Sequence, residues 1–247
     1  MPRRPTLTTR IVTAAFWPIG VGLTSWNYMW RTTPFHRRDL PGSTARDWAP
    51  PLPTEVDLDE VQVPEDGVGP LFHRRFRARI SKTGSSPEGL MALVMSHLNR
   101  LTPTGFAHFS KVHGDEDCIR LGDEYVVRMP GPWDGPVRVV SVTPRSFRLA
   151  TLAGHLEAGQ IEFRAFYDDD LYLSIETWAS SGDRFSRLLY QHLRMAKEVQ
   201  FHMWTSFLER AARLSGGRLT GGIDVETRQV NHPGTKGPAV SSSKPQQ

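Results

Sequence analysis

A handful of positions combine residue types capable of chemistry. In GHLEAG, Gly154 to Gly159, His155 and Glu157 stand two residues apart in a turn. A histidine and a carboxylate so placed could exchange protons or supply half of a metal site. Zinc needs at least a third protein ligand, and no neighbour in the sequence offers one, so no metal is expected. Hydrogen bonding within the loop is the plainer reading of the pair, and contact with a ligand the next. The only cysteine, Cys118, lies in DEDCIRL. Its acidic neighbours raise a thiol pKa, whereas a reactive thiolate wants cations. A single cysteine also rules out an internal disulfide and fits a reducing, cytoplasmic setting. No Ser-His-Asp arrangement or nucleophile elbow is visible, so no catalytic residue is assigned and no cofactor is implied.

The stretch GDEYVVRMPGPWDGPVRVV, Gly122 to Val140, has the glycines of a phosphate-cradling loop. Such a loop leads into a helix N-terminus, often through a lysine. Here a strand follows and lysine is missing. The stretch therefore reads as two strands joined by a proline-stiffened loop, with Asp134-Gly135 as the turn signal. Trp133 is expected either to lie on the core as a cover or to stand at a cavity mouth. Alternation sets Tyr125, Val127 and Met129 on one face and Glu124, Val126 and Arg128 on the other. Arg128 is expected to pair with a carboxylate such as Glu162 or Glu176.

The elements that must position these groups follow from periodicity. In LFHRRFRARI, Phe72, Phe76, Ala78 and Ile80 share one face, and His73, Arg75, Arg77 and Arg79 the other. That is a half-buried strand with a basic outer side facing acidic strands. A short helix follows, with Ser86 as cap, Pro87 in the first turn and Leu90, Leu93, Val94 and Leu98 as its stripe. Six more strands are expected at 106–112, 124–129, 137–142, 147–152, 161–167 and 171–178. Turns this short favour an antiparallel meander.

From Asp183 to Leu214 the period changes to that of one long amphipathic helix, about 45 to 50 Å, stopped by Gly216 and Gly217. Within its QFHMW segment, Gln200 borders the inner stripe and His202 leans outward. Residues 218–247 lack the apolar content to order themselves and read as a disordered tail.

Charge separates the N-terminal residues from the rest. Residues 1–50 hold seven arginines against two aspartates, while the whole chain carries +4, which leaves residues 51–247 one charge negative. Nucleic-acid binding needs a basic face on the domain itself, and that is missing. Ile11 to Trp30 is free of charge. Its length suits a membrane span, but prolines, glycines and interfacial aromatics dilute it. Docking on the body, attachment of residues 1–38 to an anionic membrane surface, and a single span all stay open. The expected units are an N-terminal arm with a Pro-rich connector over 1–56, a folded domain over 57–217 and the tail.

One strand, a short helical segment, six strands and a long C-terminal helix make an α+β helix-grip arrangement. A curved antiparallel sheet of about seven strands must bury its apolar face against the only large partner available, that helix. GDEYVVRMPGPWDGPVRV, FRLATLAGHLEAGQIEFRA, LSIETWASSGDR and AKEVQFHMW, in that order, resemble the domain-of-unknown-function family nineteen-ninety across roughly residues 58–215. The resemblance implies a START-like fold and supplies no catalytic residue.

The expected function is binding of a hydrophobic or amphipathic small molecule in a hollow between sheet and helix. Phe147, Phe163, Ile175, Met203 and Phe207 would line it, with Tyr125, Trp133, His155, Glu157 and Gln200 as the polar or amphipathic contacts. The alternatives are a cyclase, dehydratase or hydrolase using His155, Glu157 or Tyr125, and a membrane-associated structural or adaptor protein with a filled core.

Overall fold

A computed structural model of the chain describes residues 33–103, 107–114, 118–128, 134–181 and 194–230. Nine strands form a single curved sheet: β1 (Phe35–Pro41), β2 (Val68–Ser81), β3 (His108–His113), β4 (Glu124–Arg128), β5 (Asp134–Thr143), β6 (Ser146–Thr151), β7 (Glu157–Asp168), β8 (Asp170–Ser181) and β9 (Arg218–Val230). Their order is β1-β9-β2-β8-β7-β6-β5-β4-β3, so β1 and β3 are the edges. Every pairing is antiparallel except β1 with β9. Register shifts in β2, β3, β5 and β9 bend the strands, as an extra unpaired residue does.

The seven strands expected from alternation are all present. Two more are added, and both correct the expected boundaries. Residues 218–230 form β9, seated between the edge strand β1 and β2. Ile223, Val225 and Thr227 alternate with Asp224, Glu226 and Arg228, so half the side chains are apolar enough to bury while the rest meet charges outside. Gly221 and Gly222, both at positive φ, absorb the bulge opposite Ala78 and Arg79. The low apolar content of the segment is what made it read as a tail. At the other end, Phe35–Pro41 pairs in parallel with β9. Residues 35–56 thus belong to the folded body rather than to a free arm and connector. Residues 1–32, where most of the expected membrane attachment falls, lie outside the described residues, as do 231–247.

Residues 43–66, including α1 (Thr44–Asp47), run as a strap over the outer face of the sheet. Gln160 Nε2 donates to the carbonyl of Pro50, Arg148 Nη2 to that of Pro51, and Arg138 Nη1 to those of Asp57 and Asp59. Val56, Val140 and Ala150 bury together beneath the strap. His73, expected on a solvated face, is buried under it. Its Nδ1 meets Asp47 Oδ1 at 3.0 Å, its Nε2 meets Glu176 Oε1 at 2.6 Å, and the ring stacks on Trp178. Beyond the strap the arginine row meets carboxylates as expected: Arg75 with Glu176, Arg77 with Asp168 and Arg79 with Asp170.

The inner face holds the main core. Helix α2 (Pro87–Ser96), capped by Ser86, packs against β7, and the short α3 (Leu98–Leu101) against β3. Asn99 fixes α3 to the edge strand by exchanging two hydrogen bonds with the backbone of Phe109. The C-terminal helix α4 (Arg194–Leu214) contacts β2, β8, β9, α2 and α3. It ends in a Schellman motif, with Gly216 at φ 75°, its N–H on Arg213 and that of Gly217 on Ala212. The expected start of this helix, residues 183–193, lies outside the described residues. No helix among the described residues is long and apolar enough to cross a membrane.

Candidate functional site

The interface between α4 and the inner face of the sheet has an aromatic middle and a polar end. Phe147 and Phe163 are directly opposite in register on β6 and β7 and stack at 4.6 Å. Trp204 and Phe207, one turn apart on α4, close on Phe163 from the helix side at 5.6 and 5.3 Å. Phe201 meets Phe76 edge to face, with the Arg37 guanidinium over its other side. Phe147, Phe163, Ile175 and Phe207 are fully buried, and Met203 joins the same cluster. The five expected lining residues are thus together, and the phenylalanines among them meet across the interface rather than facing one another over open space.

The polar end sits beside the first described turns of α4. Gln200 reaches the sheet, as its position bordering the inner stripe implied. Its Oε1 accepts from Arg74 Nη1 at 2.8 Å, and its Nε2 donates to Glu157 Oε1 at 2.7 Å. A single amide therefore separates a guanidinium on β2 from a carboxylate at the start of β7. Alternation places Arg74 squarely between Phe72 and Phe76 on the apolar face. A charged residue in the buried phase of a strand was the available signal. The neighbouring Arg75, Arg77 and Arg79 masked it.

His155 and Glu157 follow the plainer reading, hydrogen bonding within the loop, and not the acid–base alternative. The backbone N–H of Glu157 donates to His155 Nδ1 at 2.9 Å, which leaves that nitrogen serving the turn, while the Glu157 carboxylate turns to Gln200. Burial pushes the imidazole pKa below its ordinary value, against the pull of Glu157. A histidine kept neutral and tied to its own loop is a turn constraint. His202, expected to lean outward, is buried, because α4 is covered on more than its sheet side.

Tyr125 is buried on the inner face of β4, edge to face with Phe109. Lys111, opposite it on β3, holds its ammonium 5.2 Å from the ring centre and donates to Asp123 Oδ2 at 2.7 Å and to the carbonyl of Cys118. Burial drives the tyrosine hydroxyl pKa up despite the nearby lysine. For Lys111, burial acts downward, and Asp123 and Tyr125 outweigh it, so the ammonium stays charged. This cluster can hold or orient a polar group, but its base is a protonated amine.

Register places the residues around the β4–β5 hairpin. Asp134 and Gly135 are already in β5, opposite Arg128 and Val127, so they do not form the turn. The connection falls on residues 129–133, and Trp133 with it, outside the described residues. Arg128 lies three strands from Glu162, and Glu176 is taken by His73 and Arg75. Among the described residues, no group of three or more His, Cys, Asp or Glu could hold a metal ion.

A curved, mostly antiparallel sheet closing on a C-terminal helix is a helix-grip arrangement. Residues 72–210 match the model of a domain of unknown function (DUF1990), and the chain belongs to that family. No curated protein matches its sequence. Similar solved structures include norcoclaurine synthase from Thalictrum flavum, in complex with dopamine and hydroxybenzaldehyde, at 10% identity and a TM-score of 0.42, covering 61% of this chain and 88% of that one. The di-domain ARO/CYC StfQ of the steffimycin biosynthetic pathway is similar at 8% identity and 0.45, covering 62% and 52%. Major latex-like protein 151 from Panax ginseng gives 12% and 0.36, covering 53% and 98%.

Proposed function

We propose that this chain binds a hydrophobic or amphipathic small molecule between the inner face of the sheet and α4. The observation that carries the reading is the gradient along that interface, aromatic at Phe163, Trp204 and Phe207 and polar at Arg74, Gln200 and Glu157. An interior built only for stability would be filled with apolar groups, since buried polar trios gain little over well-fitted hydrocarbon. Small-molecule sites combine apolar walls with a few placed polar groups, and this interface has both. Native mass spectrometry of the full chain, purified without detergent, tests it. A bound small molecule released on denaturation is the expected result. A ligand-free chain that also fails to take up the neutral apolar dye N-phenyl-1-naphthylamine would overturn the proposal.

A further inference from the structure

We infer that Arg74 is the receptor for an anionic head group, so that the guest is an acid with an apolar body. The inference rests on the proposed binding between sheet and helix, and it adds the chemical class of the molecule bound.

Arg74 is only 3% exposed. It stands on the inner face of β2 between Phe72 and Phe76, opposite Thr177 of β8 and Thr227 of β9, neither of which carries charge. Its Nη1 donates to Gln200. Its Nε is buried with no hydrogen-bond partner, and among the described residues no carboxylate comes within ion-pair reach of the guanidinium. The contrast with its neighbours is direct: Arg75, Arg77 and Arg79, on the outer face, each meet a carboxylate.

A buried charge without a counter-charge is costly, and a buried donor without an acceptor adds to that cost. Glu157 could have neutralised Arg74 directly, but Gln200 stands between them, with its oxygen on the guanidinium and its nitrogen on the carboxylate. Gln200 thereby fixes the guanidinium by Nη1 and leaves the opposite edge, Nε with Nη2, for another acceptor. That edge is the fork that takes a carboxylate or phosphate through two parallel hydrogen bonds. The Phe72 ring, 5.0 Å from the guanidinium carbon, holds the plane from one side. An anion on this edge would place its apolar body along α4 toward Trp204 and Phe163.

The test uses the full chain and N-phenyl-1-naphthylamine fluorescence, with competition by dodecanoate, dodecyl phosphate and 1-dodecanol. Dodecanoate or dodecyl phosphate should displace the dye at concentrations roughly ten- to a hundredfold lower than dodecanol, the span of one charge-assisted hydrogen-bonded pair. Whichever of the two acids competes better identifies the head group. In Arg74→Met the acid-to-alcohol ratio should fall toward one, and the ratio cancels any general loss of uptake. Equal competition by acid and alcohol in the unaltered chain would overturn the role of Arg74 while leaving small-molecule binding intact. Failure of the dye and all three competitors to bind would overturn both.

Discussion

Arg74 on β2 and Gln200 on the C-terminal helix are joined by a 2.8 Å hydrogen bond that ties the inner face of the sheet to the helix at its polar end. Gln200 also holds Glu157, so one uncharged side chain serves two buried or half-buried charges of opposite sign. Replacing it with leucine keeps the volume and removes both bonds. Gln200→Leu should cost about 3 to 6 kcal/mol, since hydrogen bonds to charged groups contribute about 1.5 to 3 kcal/mol each and two are lost. Urea unfolding measures it. A loss under about 0.5 kcal/mol would mean that water replaces the amide freely.

The strap supplies a pH dependence. Burial acts to raise the pKa of Asp47, but the Ser43 N–H and His73 outweigh it, and the carboxyl is held below its ordinary 3.8. Glu176 is likewise held below 4.5 against its burial by His73 and Arg75. Both carboxylates bind protons less readily folded than unfolded, so their contribution is complete above about pH 4.5 and is lost as pH falls through the lower folded values. Urea midpoints should change little on this account between pH 7 and 5 and drop below pH 4. Asp47→Asn and Glu176→Gln should flatten that drop. An unchanged acid slope in both variants contradicts the assignment.

Gly159 marks a close approach of backbones in the β7–β8 hairpin. A Cβ there would lie 1.9 Å from the carbonyl oxygen of Trp178, an atom held in the ladder and unable to yield. Gly159→Ala should destabilise by about 3 kcal/mol or more, beyond the usual range of point substitutions. The same change at Gly154, where the space is open but φ is 95°, should cost about 1 kcal/mol through strain alone. Thermal melts of the two variants compare them, and equal costs would contradict the close contact.

Much of this was open to reading in the sequence. Phe72, Phe76, Ala78 and Ile80 against Arg75, Arg77 and Arg79 announced both faces of β2, and Phe147, Phe163, Ile175 and Phe207 fell where alternation and helical period sent them. What stayed hidden depends on contacts distant in sequence. Nothing in residues 35–41 or 43–66 says that they lie on a sheet, because their own alternation is weak and their partners are residues far along the chain. His73 looked solvent-facing because the strap that buries it comes before the strand. Residues 223–230 do alternate, but too few are apolar for the segment to declare itself without β1 and β2 on either side. Arg74 falls in the buried phase of β2 between Phe72 and Phe76, but Arg75, Arg77 and Arg79 beside it hide that signal.

The place of β9 yields a test by truncation. A chain ending at Gly217 loses the strand between β1 and β2, and with it the buried side chains of Ile223 and Val225. It should fail to give a cooperative thermal transition, whereas the full chain gives one. A truncated chain that melts cooperatively near the temperature of the full chain would return residues 218–230 to the status of a dispensable tail.

The central claim is that a guest enters between the sheet and the C-terminal helix with its charged end on Arg74. Heteronuclear NMR of the full chain titrated with dodecanoate addresses it most directly. The account predicts saturable shifts at the Gln200 side-chain amide, the Arg74 Nε–H and the Trp204 indole, with the Trp48 indole on the outer face unmoved. Shifts confined to the strap around Trp48, or no saturable shift at Gln200 and Trp204, would contradict it.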